Sequence, residues 1–139
     1  MKVQSPYMLL VSNVLEKHLV EIPENFRHLF GIEKLNIKRS IIPAVTHVDN
    51  SARIQTVHHE TNPKYYNLIK KFNELTKCPI LVNTSFNIRG EPIVCSVEDA
   101  FKCFMGTKLD ALVIENFLLE KQKQNVKENL DFKNKFKLD

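Results

Sequence analysis

The densest set of potential ligand-holding groups is Asn83-Thr84-Ser85-Phe86-Asn87, with Arg89-Gly90 one residue further on. Amides and hydroxyls there can donate hydrogen bonds. A guanidinium can clamp a phosphate through two parallel bonds, which an ammonium cannot. A glycine permits close backbone approach to a ligand. Together these are the tools for holding a phosphate or an oxyanion. The same residue types also bond readily to nearby backbone, so a loop that satisfies itself is the competing reading.

A second group is Thr46-His47-Val48-Asp49 with Arg53. On a regular strand His47 and Asp49 point to one side, and Arg53 would offer a cation to an anionic ligand. Alternatively Arg53 pairs with Asp49 across a turn, a surface bridge worth about 0–1 kcal/mol. The residues alone favour that plainer pairing. His47, His58 and His59 lie close in sequence, but no cysteine or carboxylate stands at ligand spacing, so no metal site is expected. Cys95 and Cys103 have no evident base and fit as small core residues.

The elements that must position these groups read as follows. Tyr7–Val11 is a continuous apolar run suited to a buried strand. Residues 16–40 show no sustained period and read as loop, with one short helical turn around Phe26–Phe30. Ala44–Val48 and Arg53–Val57 alternate with period two about Asp49-Asn50-Ser51, which predicts a hairpin. Asn62 and Pro63 suit the N-cap and first position of a helix ending near Lys77, with Tyr66, Ile69, Phe72 and Leu75 on its apolar side. Pro79–Val82 reads as a short strand feeding the 83–92 loop. Ser96 caps a second helix with Asp99 three residues on; Ala100, Cys103 and Phe104 form its stripe and Gly106 stops it. Asp110–Ile114 reads as the last strand. Helices alternating with strands imply an α/β sheet of mixed direction, and ligands of such sheets often lie where loops leave the strands' carboxyl ends.

At 139 residues, 43% hydrophobic and 26% charged, the chain suits one domain, residues 1–120, followed by a charged tail, 121–139, helical or disordered. The tail holds six lysines against three acids and so carries most of the net charge of +4. Nucleic-acid binding is therefore not expected. Three cysteines with no C-x-x-C pair imply no disulfide framework and a reducing compartment. No secretory leader is evident, and no apolar run approaches the ~20 residues of a membrane span. A cytoplasmic location without membrane partners is the expectation.

Several stretches together resemble a known family: Ser5–Leu9, Pro43–Val57, Asn62-Pro63 with Tyr65-Tyr66, Pro79–Glu98, and Asp110–Ile114 with Asn116–Leu118. In this order they are similar to the C-terminal domain of O-carbamoyltransferases of the NodU, cephamycin and tobramycin type, over roughly residues 5–119. The long NTSFN-x-RGEPIV stretch is the most specific part. The resemblance implies an α/β, YrdC-like mixed twisted sheet with helices packed on it. It also implies formation of a carbamoyl-adenylate from ATP and carbamoyl phosphate, with transfer to a hydroxyl acceptor by an iron-binding N-terminal domain. Ser85 and Asn87 match the family's Ser-x-Asn pattern for anionic ligands, and Arg53 matches an additional phosphate-facing arginine. Arg89 stands where the family varies more. Asn83, Thr84 and His47 complete the expected nucleotide- and carbamoyl phosphate-binding set.

The departures are as informative. The family's upstream G-P-R-A-L-G-type and K-x-R-E-x-x-R-P-F-A-P-type segments have no counterpart here, nor has the iron domain. The sheet is thus expected to be truncated on its N-terminal side. Losing two charged phosphate contacts would cost several kcal/mol, at ~1.5–3 each. The expectation is weak or no activity in isolation, with a separate N-terminal carbamoyltransferase chain as partner. The alternative is a non-catalytic remnant or self-associating module, with homodimerisation through an unpaired strand near Tyr7.

Overall fold

The computed structural model describes residues 3–125, so residues 126–139 of the expected tail lie outside the described residues. These residues fall into two compact units, one ending at Val82 and one starting at Asn83, and each is described by itself. The class is mixed α/β, built from helices and two small antiparallel sheets.

In the first unit β1 (Leu10–Asn13) pairs antiparallel with β2 (Ser51–Ile54), setting Leu10 against Ile54, Val11 against Arg53 and Asn13 against Ser51. Ser5 extends the pairing: its Oγ donates to the Ile54 carbonyl at 3.1 Å, and its own carbonyl accepts from Thr56 N–H at 3.0 Å. The long connection between the strands contains only 3-10 turns, at Glu16–His18, Glu24–Phe26, Gly31–Asn36 and Pro43–Val45. A single bridge, Leu19 to Ser40, ties it back on itself.

The interior of this unit is polar. Ser5, Arg39, Ser40, Thr46 and Ser51 are buried, with Ala52 beside them. Buried polar groups persist only when hydrogen-bonded, and here they are. Arg39 donates from Nε to the Lys34 carbonyl (3.0 Å), from Nη1 to Val48 O (3.1 Å) and Asn50 Oδ1 (2.6 Å), and from Nη2 to Thr46 O (3.3 Å) and His47 O (2.9 Å). All five guanidinium N–H groups are thereby used.

That arrangement overturns the predicted hairpin. The carbonyls of residues 46–48 accept from Arg39 rather than from a neighbouring strand, so only the 47–51 turn survives, closed by Asn50 N–H to His47 O at 3.0 Å and by His47 N–H to Ser51 O at 2.8 Å. β2 pairs instead with β1. The first strand also begins later than expected, and Tyr7 and Leu9 are each 80% exposed rather than buried.

Helix α1 (Pro63–Thr76) forms as the sequence predicts: Asn62 Oδ1 accepts from Tyr65 N–H at 3.1 Å, and Lys77 ends the helix in the left-handed region at φ 61°. None of its residues is buried. Residues 79–82 form no strand; Pro79 has no N–H to give a ladder, and no described strand pairs with the segment.

The second unit holds the apolar core. Helix α2 (Val97–Gly106) starts where Ser96 Oγ accepts from Asp99 N–H at 3.1 Å. Its stripe of Ala100, Cys103, Phe104 and Met105 is buried; Ala100, Phe104 and Met105 cluster with Leu112, with Phe86, Val94, Phe101, Ile114 and Leu119 packed around them. β3 (Ala111–Ile114) turns through Glu115 at φ 52° into β4 (Phe117–Glu120), with Ile114 opposite Phe117. This two-residue hairpin departs from the sequence expectation, in which Asp110–Ile114 is the last strand. Between α2 and the hairpin lies an apolar groove of about 510 Å³, lined by Val97, Phe101, Ile114, Phe117 and Leu118.

Candidate functional site

The 83–92 loop is anchored at both ends. Phe86 packs against the core, and its carbonyl accepts from Val94 N–H at 3.1 Å. Asn87 Nδ2 donates inward to the carbonyls of Glu91 (2.7 Å) and Ile88 (3.2 Å). Glu91 returns the favour: its carboxylate accepts from Ile88 N–H at 2.9 Å, while its own N–H donates to Ile88 O at 3.0 Å. Gly90 sits at φ 82°, where a side chain would be strained. Residues 86–91 thus satisfy themselves, which is the plainer reading of the loop, but they do so mainly through Asn87 and Glu91.

The remaining donors are left over. Thr84, Ser85 and Arg89 are exposed and make no hydrogen bond or ion pair among the described residues. Asn83 is exposed at the head of the loop. Fixing the backbone with one pair of side chains while others stay unbonded is how a preorganised donor set is built.

Glu91 also faces Cys103. Burial, and then a hydrogen bond and charge repulsion from the Glu91 carboxylate, push this thiol up to about 11. Cys103 is therefore a neutral core thiol, as its sequence context suggests, and not a nucleophile.

In the first unit, His47 Nδ1 lies 2.9 Å from Ser51 Oγ, and Ser51 donates to Asp49 Oδ1 from both Oγ (2.6 Å) and N (3.0 Å). These bonds from Ser51, chiefly the hydroxyl, hold the Asp49 carboxyl below the usual carboxylate range. Asp49 is thus occupied by Ser51, and Arg53 makes no ion pair among the described residues. The predicted Asp49–Arg53 bridge is absent, and Arg53 is left exposed on β2 opposite Val11. A separate cleft of about 530 Å³, lined by Pro6, Tyr7, Gln55, Asn62 and Tyr65 among others, includes none of the expected site residues.

Sequence reasoning missed three residues that shape these groups. Arg39 carries no local signal separating it from a surface arginine. Ser51 reads as a mere turn residue. Glu91 would have been found only by asking what holds a glycine-containing loop closed.

A family model described as carbamoyltransferase C-terminus matches residues 1–121. The chain belongs to the carbamoyltransferase C-terminal family. Among curated relatives, an uncharacterized protein of Synechocystis sp. is 58% identical over 97% of this chain and 22% of its own length. The nodulation protein NolO of Bradyrhizobium diazoefficiens is 45% identical over 73% of this chain and 19% of its own. The 3'-hydroxymethylcephem-O-carbamoyltransferase of Amycolatopsis lactamdurans is 43% identical over 40% of this chain and 11% of its own. The family resemblance carried by the NTSFN stretch is thereby established. The chain spans about a fifth of the length of the first two relatives. Among the described residues of this family member, no helix is long and apolar enough to cross a membrane.

Proposed function

We propose that this chain supplies the carbamoyl phosphate- and ATP-binding surface of an O-carbamoyltransferase, and that a longer or separate polypeptide completes the enzyme. The observation that carries this reading is the 83–91 loop, in which Asn87 and Glu91 fix the backbone while Thr84, Ser85 and Arg89 remain unbonded. Family membership and the carbamoyltransferase activity named for the cephem relative supply the chemistry.

In this reading Ser85 and Thr84 donate hydroxyls to phosphate oxygens and Arg89 clamps them. Asn87 acts chiefly by shaping the loop, with Oδ1 left to face the ligand. Arg53 and His47 form a second polar group in the first unit. Adenylate formation builds charge on the α-phosphate as pyrophosphate leaves, so fixed donors and cations are the main catalytic lever. The fold follows: each two-stranded ladder leaves strand edges that a YrdC-like twisted sheet would pair.

The apolar groove, with Phe117 72% and Leu118 63% exposed, favours a second reading in which the chain is a self-associating module without activity. Isothermal titration with carbamoyl phosphate and with ATP separates the two. Saturable binding abolished by Ser85→Ala with Arg89→Ala supports the ligand-binding reading. A folded chain that takes up neither ligand at millimolar concentration leaves the second.

A further inference from the structure

One edge of the second unit's hairpin is apolar and open. The groove between α2 and the hairpin takes in Phe117, Leu118 and Leu119 in succession. Neighbouring residues of a strand point to opposite faces, so three in a row mean that the groove wraps the edge of β4. Val97, Phe117 and Leu118 are exposed there. Among the described residues β4 pairs with β3 alone. An apolar groove beside an unpaired strand edge is a template for an added strand.

The chain carries a segment of matching pattern just beyond the described residues. Residues 130–138 read Leu-Asp-Phe-Lys-Asn-Lys-Phe-Lys-Leu. Leu130, Phe132, Phe136 and Leu138 alternate with Asp131, Lys133, Lys135 and Lys137, and Asn134 alone interrupts the apolar set. At a period of two the four apolar residues share one face; at the helical period they scatter. The alternation suits a half-buried strand better than the helix expected of the tail.

The path of the chain suits such a return. β4 ends at Glu120, and Lys121 N–H donates to Asp110 O at 2.9 Å. A 3-10 turn at Lys121–Lys123 follows at once, closed by Gln124 N–H to Lys121 O at 3.1 Å. The chain is thus already turning as it leaves the hairpin. Residues 125–129 can span up to ~17 Å at ~3.3 Å each, enough to come back alongside a strand four residues long.

We propose that residues 130–138 dock as a strand along the open edge of β4, seating Leu130, Phe132, Phe136 and Leu138 in the apolar groove and leaving the lysines in water. The occupant is this chain's own tail rather than a second copy because a short tether holds it at a millimolar effective concentration. The docking needs no ligand and lies within the second unit.

Trypsin reads it, since Lys133, Lys135 and Lys137 lie inside the segment. Cleavage follows the population of the undocked form, so these bonds should be cut about tenfold or more slowly in the full chain than in a free peptide of residues 126–139. Phe117→Gln with Leu118→Gln, both at exposed positions, should keep the parent's far-ultraviolet circular dichroism and bring cleavage up to the peptide's rate. In the parent, nuclear Overhauser contacts are expected from the rings of Phe132 and Phe136 to Val97, Phe101 and Leu118. Cleavage of the parent at the peptide's rate overturns the inference. So does protection that the double variant leaves intact, or protection that fades on dilution, which assigns the groove to a second copy. Should the double variant lose its fold, the Overhauser contacts decide, and their absence overturns the inference as well.

Discussion

Nη1 of Arg39 lies 2.6 Å from Oδ1 of Asn50, and the same guanidinium reaches the carbonyls of Lys34, Thr46, His47 and Val48. A buried cation satisfied entirely by neutral acceptors draws the 46–50 segment into a turn around itself. It thereby sets where His47 and Asp49 stand. Arg39→Met should cost about 3 kcal/mol or more, because several carbonyls are left without donors, and Arg39→Lys about 1–3 kcal/mol, because the fork is lost while the charge stays. All three tyrosines, Tyr7, Tyr65 and Tyr66, lie in this unit, so tyrosine fluorescence in urea unfolding reports it. Variants within 1 kcal/mol of the parent would contradict the clamp.

The Cys103 thiol gives a pH signature. Its folded value of about 11 lies above the ordinary 9.0, so the folded state holds the proton more tightly than the unfolded one. Stability from this group is fully present below pH 9 and is lost as pH rises through 11, on the order of 2 kcal/mol. Glu91→Gln removes the adjacent carboxylate, so the thiol should fall part of the way back toward 9 and the loss at high pH should shrink, burial keeping the larger share of the shift. At pH 8, iodoacetamide should modify exposed Cys95 first and reach Cys103 only under denaturing conditions.

Asn87 should matter to the loop more than its neighbours do. Asn87→Asp sets a carboxylate against the carbonyls of Ile88 and Glu91, which accept from Nδ2 in the parent. A loss of about 1–3 kcal/mol is expected. It should appear as faster proteolysis within 84–92, whereas Ser85→Ala should leave proteolysis unchanged.

The helix caps make a smaller, independent prediction. Asn62→Ala and Ser96→Ala should each cost about 1 kcal/mol in denaturant unfolding. The Ser96 hydroxyl also holds the Asp99 carboxyl below its ordinary 3.8. That contribution is present above the ordinary value and is lost as pH falls through the lowered one. In Ser96→Ala the acid limb should therefore be shallower.

How much of this was legible in the sequence depends on whether the signal is local. Asn62-Pro63 and Ser96 announced both helices because a cap acts within three residues. The Ala100, Cys103 and Phe104 stripe announced the core because helical periodicity is also local. The 44–57 hairpin was misread because nothing near it reveals that Arg39 takes the carbonyls a ladder needs. The hairpin of β3 and β4 was missed because Glu115-Asn116 lacks the Asn-Gly or Asp-Gly signature of a two-residue turn. The site loop was legible as a loop of donors. Which donors stay unbonded was not, because that depends on Asn87 and Glu91 reaching across residues 88–91.

The most direct test of the central claim is to map backbone amide shifts of the 15N-labelled chain during titration with carbamoyl phosphate. The account predicts saturable shifts concentrated at residues 84–90, and their loss in Ser85→Ala with Arg89→Ala. A folded chain whose shifts stay unmoved at millimolar ligand, or move only elsewhere, would contradict it.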